Sequence, residues 1–282
     1  MTLVFPKRDA CFLGDHEERR FCLFTHAMGR PRGTILYVHP FAEELNRSRR
    51  MVALATQAFA QHGWSVLQMD LRGCGDSEGD FSDACWDSWL ADLDRAHAWL
   101  DAFKAQHDLR GPTVLWSLRA GSLLASSWLA QRGLSLPWLA WQPVLQGAPY
   151  LTQFLRIRLG ADLASSSQSG NVLAELRAAL KRGETVSVGG YGLSAALAGG
   201  LESSGLALHA GFQSPLCVIE VGSGAAPELS PATSTWLDKA RRAGHTCEGV
   251  ATSGNRFWQS AEIELALDMI APSQTALQGW AP

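Results

Sequence analysis

The sequence predicts a doubly wound, mostly parallel α/β sheet with a helical cap inserted late in the chain. Three observations carry this. Apolar runs recur at 34–38, 64–69, 113–118, 137–144, 216–221 and 246–250, the pattern of strands buried on both faces. Helix-period segments separate most of them, at 49–62, 86–103, 119–133 and 233–243. The alternation breaks once, between about Gln146 and Ser214, where short helical patches at 151–159, 172–180 and 193–201 are joined by Ser/Gly-rich stretches. Residues 1–145 and 215–282 are therefore expected to form the core and 146–214 the cap, in one continuous unit.

In chain order, residues 11–28 alternate loosely, and Phe21-Cys22-Leu23-Phe24 is the clearest strand. Arg30-Pro31-Arg32-Gly33 makes a turn into the strand at 34–38, which ends at His39-Pro40-Phe41. Helix 49–62 places Met51, Leu54, Ala55, Ala58 and Phe59 on one face, and Gly63 closes it. The strand at 64–69 runs into the glycine-rich loop Asp70-Leu71-Arg72-Gly73-Cys74-Gly75-Asp76-Ser77. The last helix is expected at 257–270, with 271–282 as a loose tail.

Composition narrows the class. Of 282 residues, 46% are hydrophobic and 18% charged, enough for a large core. The net charge is −3 without a basic run, which argues against nucleic acid as partner. No apolar run suits a membrane span, and residues 1–14 lack the apolar region of a signal peptide. Six dispersed cysteines without a C-x-x-C pair suggest buried thiols in a reducing cytoplasm, with no metal and no cofactor expected.

The stretch Thr113-Val114-Leu115-Trp116-Ser117-Leu118-Arg119-Ala120-Gly121-Ser122 reads as a strand turning sharply into a helix. A nucleophile elbow has small residues two positions to each side of its tip. Only one register satisfies this, with Ser117 and Gly121 as the flanks and Arg119 at the tip. Arginine stays protonated and cannot attack a carbonyl. Ser117 or Ser122 is the alternative nucleophile, and neither occupies the tip.

His39-Pro40, the loop Asp70–Ser77, residues 41–50, Trp141-Gln142-Pro143-Val144 and residues 151–156 resemble the α/β-hydrolase fold and, more narrowly, the exosortase A system-associated hydrolases of type 2. That resemblance implies a place in exopolysaccharide or protein-sorting loci. It also places the triad acid near Glu228, where alanine precedes Pro227, and the triad histidine at Asn255, within Gly254-Asn255-Arg256-Phe257-Trp258. His245 precedes the last strand and is expected at the far end of the sheet. The backbone N–H groups of Ala120 and Phe41 are implied to form the oxyanion hole.

The site residues expected from this are Arg119, Ala120, His39, Phe41, Glu43, Glu44, Trp116, Asn255, Arg256 and Trp258. Arg119 and the helix N-terminus suit a carboxylate or phosphate. Trp116, Phe154 and Trp258 would hold an apolar body under the cap. An unpaired buried guanidinium is costly, so Glu43 or Glu44, in the facing loop, is expected to neutralise Arg119. His39 is favoured as a packed loop histidine, Asp70 and Asp76 as acceptors holding the glycine loop, and Cys74 as a thiol with nothing beside it to activate it. Three functions follow: a non-catalytic protein binding a small anionic, lipid-like ligand; an esterase or thioesterase with an altered site; or a structural partner with a filled pocket.

Overall fold

The computed structural model describes residues 5–157, 169–222, 224 and 226–281. Eight strands form one sheet: β1 (Arg8–Leu13), β2 (Arg20–Thr25), β3 (Gly33–Val38), β4 (Trp64–Met69), β5 (Thr113–Leu118), β6 (Trp138–Trp141), β9 (Leu216–Val221) and β10 (Cys247–Thr252). Their order is β1-β2-β4-β3-β5-β6-β9-β10. β1 and β2 form an antiparallel edge, and β2 also runs antiparallel to β4. From β4 through β10 every pairing is parallel.

Alternate residues of each strand feed two cores. Leu36, Val38, Leu115, Trp138, Ala140 and Val218 face α2 (Trp86–Gln106), α3 (Gly121–Arg132) and α7 (Pro231–Arg242). Ile35, Tyr37, Trp116, Trp141 and Ile219 face α1 (Glu43–Gln61) and α8 (Ile270–Trp280). Burial on both faces explains the continuous apolar runs.

Between β6 and β9 the described chain forms α4 (Gly147–Leu155), α5 (Ser169–Lys181), a hairpin of β7 (Val186–Val188) and β8 (Tyr191–Leu193), and α6 (Ala195–Ser203). The helical patch expected at 151–159 is α4 shifted toward the N-terminus, and positions 158–159 lie outside the described residues. The hairpin was not expected. Its two-residue turn is Gly189-Gly190, with φ of +57° and +87°, a conformation glycine adopts without cost.

Two helix expectations are corrected. α1 starts at Glu43 rather than at 49, which puts Glu43 and Glu44 in its first turn, where carboxylates favour the helix dipole. The last helix is α8, inside the expected tail; Phe257 and Trp258 belong to a turn before it. Pro272 falls in the first turn of α8, where its missing N–H would have had no helical partner, so it does not end the helix. No helix among the described residues is long and apolar enough to cross a membrane.

One buried ion pair ties the antiparallel edge to the body. Arg20 Nε donates to Asp92 Oδ1 at 2.7 Å, and Asp92 Oδ2 accepts from the Arg72 N–H at 2.7 Å. The two side chains are 3% and 1% exposed. Asp92→Ala strands a buried guanidinium and is expected to lower stability by about 3–5 kcal/mol in denaturant unfolding.

Candidate functional site

The site is built where β3, β5 and β6 end side by side. Each strand is followed by a non-glycine residue with positive φ: Ala42 at +50°, Arg119 at +55° and Gln142 at +41°. Such backbone is costly for residues with a Cβ and persists only where surrounding bonds hold it. The Arg119 N–H donates to Trp141 O at 3.0 Å, and its carbonyl accepts from Val144 N at 3.3 Å and Ser122 N at 3.0 Å. At Gly121, a Cβ would lie 2.5 Å from Val38 O and 2.6 Å from His39 O. Glycine is what lets α3 start this close to β3.

The flanking serines are sealed. Ser117 and Ser122 are fully buried. Their Oγ atoms share a 2.8 Å hydrogen bond, and Trp138 Nε1 donates to Ser117 Oγ at 2.8 Å.

The Arg119 side chain meets Glu44. Nε and Nη2 donate to Glu44 Oε1 at 3.2 and 3.1 Å, and Tyr150 Oη donates to Glu44 Oε2 at 2.9 Å. The side chains of Arg119 and Glu44 are only 12% and 16% exposed. The guanidinium carbon sits 5.7 Å from the centre of the Tyr150 ring and 5.4 Å from that of Trp258, within cation–π range. Glu43, the other expected partner, turns away. It accepts from Tyr191 Oη at 2.9 Å and pairs with Arg47 at 3.6 Å.

Above this cluster lies a cavity of about 550 Å³, walled by Phe41, Glu44, Tyr150, Phe154, Val188 and Trp258 among others. Arg119 is not in the wall. It lies behind Glu44, Tyr150 and Trp258, which all touch it. The Phe41 ring packs edge-on against Phe154 at 5.0 Å and Tyr150 at 6.1 Å, joining the loop after β3 to α4.

The geometry agrees with the comparisons. The serine aminopeptidase S33 family model matches residues 29–164, nearly half of the chain. Among solved structures, a lidless α/β serine hydrolase from Xanthomonas campestris is 15% identical with a TM-score of 0.57, covering 100% of this chain and 99% of its own. The esterase Est1E from Butyrivibrio proteoclasticus, solved with ferulic acid, is 14% identical with a TM-score of 0.61, covering 96% and 97%. A thermostable carboxyl esterase from Bacillus coagulans is 15% identical with a TM-score of 0.60, covering 99% of each chain. No curated protein matches the chain. This chain is an α/β-hydrolase-fold protein.

In an α/β-hydrolase-fold protein the elbow between β5 and α3 presents its tip residue at the C-terminal edge of the sheet. Here that residue is Arg119. Among the described residues, neither the Ala120 nor the Phe41 N–H donates a hydrogen bond. His39 is packed beneath them. Its Nδ1 donates to Pro40 O at 2.7 Å and its Nε2 accepts from the Leu71 N–H at 3.2 Å, which fixes the neutral tautomer. Burial holds its pKa below the ordinary 6.5. The Asp70 carboxylate accepts from the Asp76 N–H at 3.1 Å, holding the glycine loop as expected, whereas the Asp76 carboxylate, expected to do the same, accepts no hydrogen bond among the described residues. Cys74 is buried there, and burial raises its thiol pKa far above 9.0, so it is inert.

Other expected positions do not converge on Arg119. Glu228 is exposed and makes no ion pair among the described residues. Asn255 and Arg256 are exposed and outside the cavity wall, although Trp258 is in it. His245 bonds Phe212 O near the start of β9 and β10, at the opposite end of the sheet as expected. Trp116 is corrected: it faces away from the elbow, packed 4.6 Å from Tyr37 and 4.9 Å from Trp141 in the α1-side core. Strand alternation puts it opposite Ser117. Tyr150, which clamps Glu44, was missed; it carries no motif, and only the start of α4 at Gly147 brings it there.

Removing either half of the clamp should be costly. Arg119→Ala leaves the Glu44 carboxylate buried with Tyr150 alone, and is expected to lower stability by about 3 kcal/mol in denaturant unfolding. His39 supplies a pH signature. Below pH 6.5 the unfolded state binds a proton that the folded His39 refuses, so stability falls with pH from 6.5 downward until the lower folded-state pKa is passed. The stability difference between wild type and His39→Asn is expected to shrink as pH is lowered from 7 to 5.

Proposed function

We propose that this protein is a non-catalytic α/β-hydrolase-fold relative that binds a partly apolar ligand with an anionic head, in the cytoplasm and in the setting of an exosortase or exopolysaccharide locus. Residues 146–214 serve as the cap over its site. One observation carries the reading: the tip that would bear the nucleophile bears Arg119, clamped by Glu44 under a cavity of about 550 Å³. A Ser-His-Asp mechanism needs a deprotonatable nucleophile with a base in hydrogen-bond reach. Arginine supplies none, and the nearby serines are buried and bonded to each other. An open cavity also speaks against a purely structural partner with a filled pocket.

The cavity favours the apolar part of the ligand, since Phe41, Tyr150, Phe154 and Trp258 supply aromatic surface. The acidic head competes with Glu44 for Arg119. Only two donors of the guanidinium reach Glu44, both on one oxygen, which leaves N–H groups of Arg119 for a second acceptor.

Two measurements test this. A fluorophosphonate probe is expected to leave the protein unmodified by intact-mass analysis; labelling at Ser117 or Ser122 would refute the non-catalytic reading. In a thermal-shift screen of fatty acids, acyl phosphates and prenyl phosphates, at least one is expected to raise the melting temperature. Glu44→Gln should enlarge that shift and Arg119→Gln should abolish it. No shift in any protein, or shifts indifferent to both substitutions, would overturn the ligand assignment.

A further inference from the structure

A second cavity, of about 210 Å³, lies on the opposite side of α1 from the elbow cavity and shares no wall residue with it. Its origin is geometric. On this face α1, α8 and the segment leading into α8 cover the sheet, and the antiparallel edge is left partly bare. Phe21 and Leu23 of β2 are only half-buried. The floor is a cross-strand row, Leu23 beside Gln68 beside Tyr37. The roof is one stripe of α1, Leu45, Arg49 and Val52, at helical spacing.

Apart from one carboxylate, the polar groups of this wall left without a partner are donors. Tyr37 is 4% exposed, and its hydroxyl has no hydrogen-bond partner among the described residues. Desolvation raises its pKa well above 10, so it stays protonated and able to donate. Gln68 uses its oxygen to accept from Thr56, and its amide nitrogen donates to nothing described. Arg49 is held only by long contacts of 3.3 and 3.4 Å to Asp70 and is 47% exposed. Arg8 is exposed and has no ion pair among the described residues. Asp70 is the carboxylate of the wall, already bonded to the Asp76 N–H. His39 contributes no charge, since both its ring nitrogens are used. Two guanidinium groups thus face one carboxylate across an apolar crevice.

We propose that this crevice is a second ligand site, for a small monocarboxylate with an apolar body. Arg49 and the Tyr37 hydroxyl donate to the carboxylate, Arg8 adds charge at the rim, and Leu23, Leu45 and Val52 enclose the body. Charge-assisted hydrogen bonds from a guanidinium supply the selectivity for an anion over a neutral molecule of the same shape.

Titration calorimetry on the whole protein with benzoate and hexanoate tests this, with benzyl alcohol and 1-hexanol as neutral counterparts. At least one acid is expected to bind saturably, and its alcohol about tenfold more weakly or not at all. Arg49→Gln should weaken the acid about tenfold and Tyr37→Phe several-fold. Tyr37→Phe keeps the ring and deletes only a hydroxyl without partners, so it retains the fold. Ala53→Trp, which fills the crevice, should abolish binding, while Ile157→Trp in the elbow cavity should leave it unchanged. No saturable binding of either acid would overturn the proposal. So would equal binding of the alcohols, indifference to both Arg49→Gln and Tyr37→Phe, or loss of binding in Ile157→Trp.

Discussion

Glu44 holding Arg119 is the contact on which the site depends. It joins three parts of the chain that are distant in sequence: the first turn of α1, the β5–α3 elbow and, through Tyr150, α4. The elbow backbone is strained at Arg119, and its neighbours Ala42 and Gln142 are strained with it. In a serine hydrolase such a turn aims a small nucleophile at substrate. A long cation here instead reaches a carboxylate from the facing helix, and two aromatic rings cover the guanidinium.

A pair of this kind is weak evidence for net stability, because both charges were taken out of water to form it. Its consequence is specificity. With Glu44 in place, the positive charge of Arg119 is neutralised, and the cavity above presents aromatic walls and a carboxylate rather than a bare cation. An acidic ligand gains Arg119 only against that competition. The same logic separates the crevice beside Tyr37, where among the described residues the guanidinium groups of Arg8 and Arg49 are loosely held or unpaired and nearby donors lack acceptors.

Much of the fold was legible in the sequence because the central strands are buried on both faces. Runs such as 34–38 and 216–221 have no polar face to confuse the reading, and their observed bounds differ by a residue at most. The elbow was legible from its small flanks, since the close approach of Gly121 to Val38 and His39 leaves a signature in residue size. That Glu43 or Glu44 would neutralise Arg119 followed from the cost of an unpaired buried charge, and the structure selects Glu44. What was missed depends on tertiary context. The start of α1 at Glu43 has no side-chain cap to mark it, and the last helix lies within the segment expected as a loose tail. Tyr150 and the cavity walls come together through loops that no periodicity encodes. The Gly189-Gly190 hairpin carries its turn chemistry in the sequence, but it falls in the joint between the expected helical patches 172–180 and 193–201.

A double-mutant cycle on Arg119 and Glu44 tests the central claim most directly. Unfolding free energies of wild type, Arg119→Met, Glu44→Gln and the double variant give the energy of the pair apart from its surroundings. The account predicts a favourable coupling of about 1.5 kcal/mol or more, with the double variant more stable than the sum of the single losses implies. A coupling indistinguishable from zero would mean that Glu44 does not hold Arg119 in solution, and would contradict the account of the elbow.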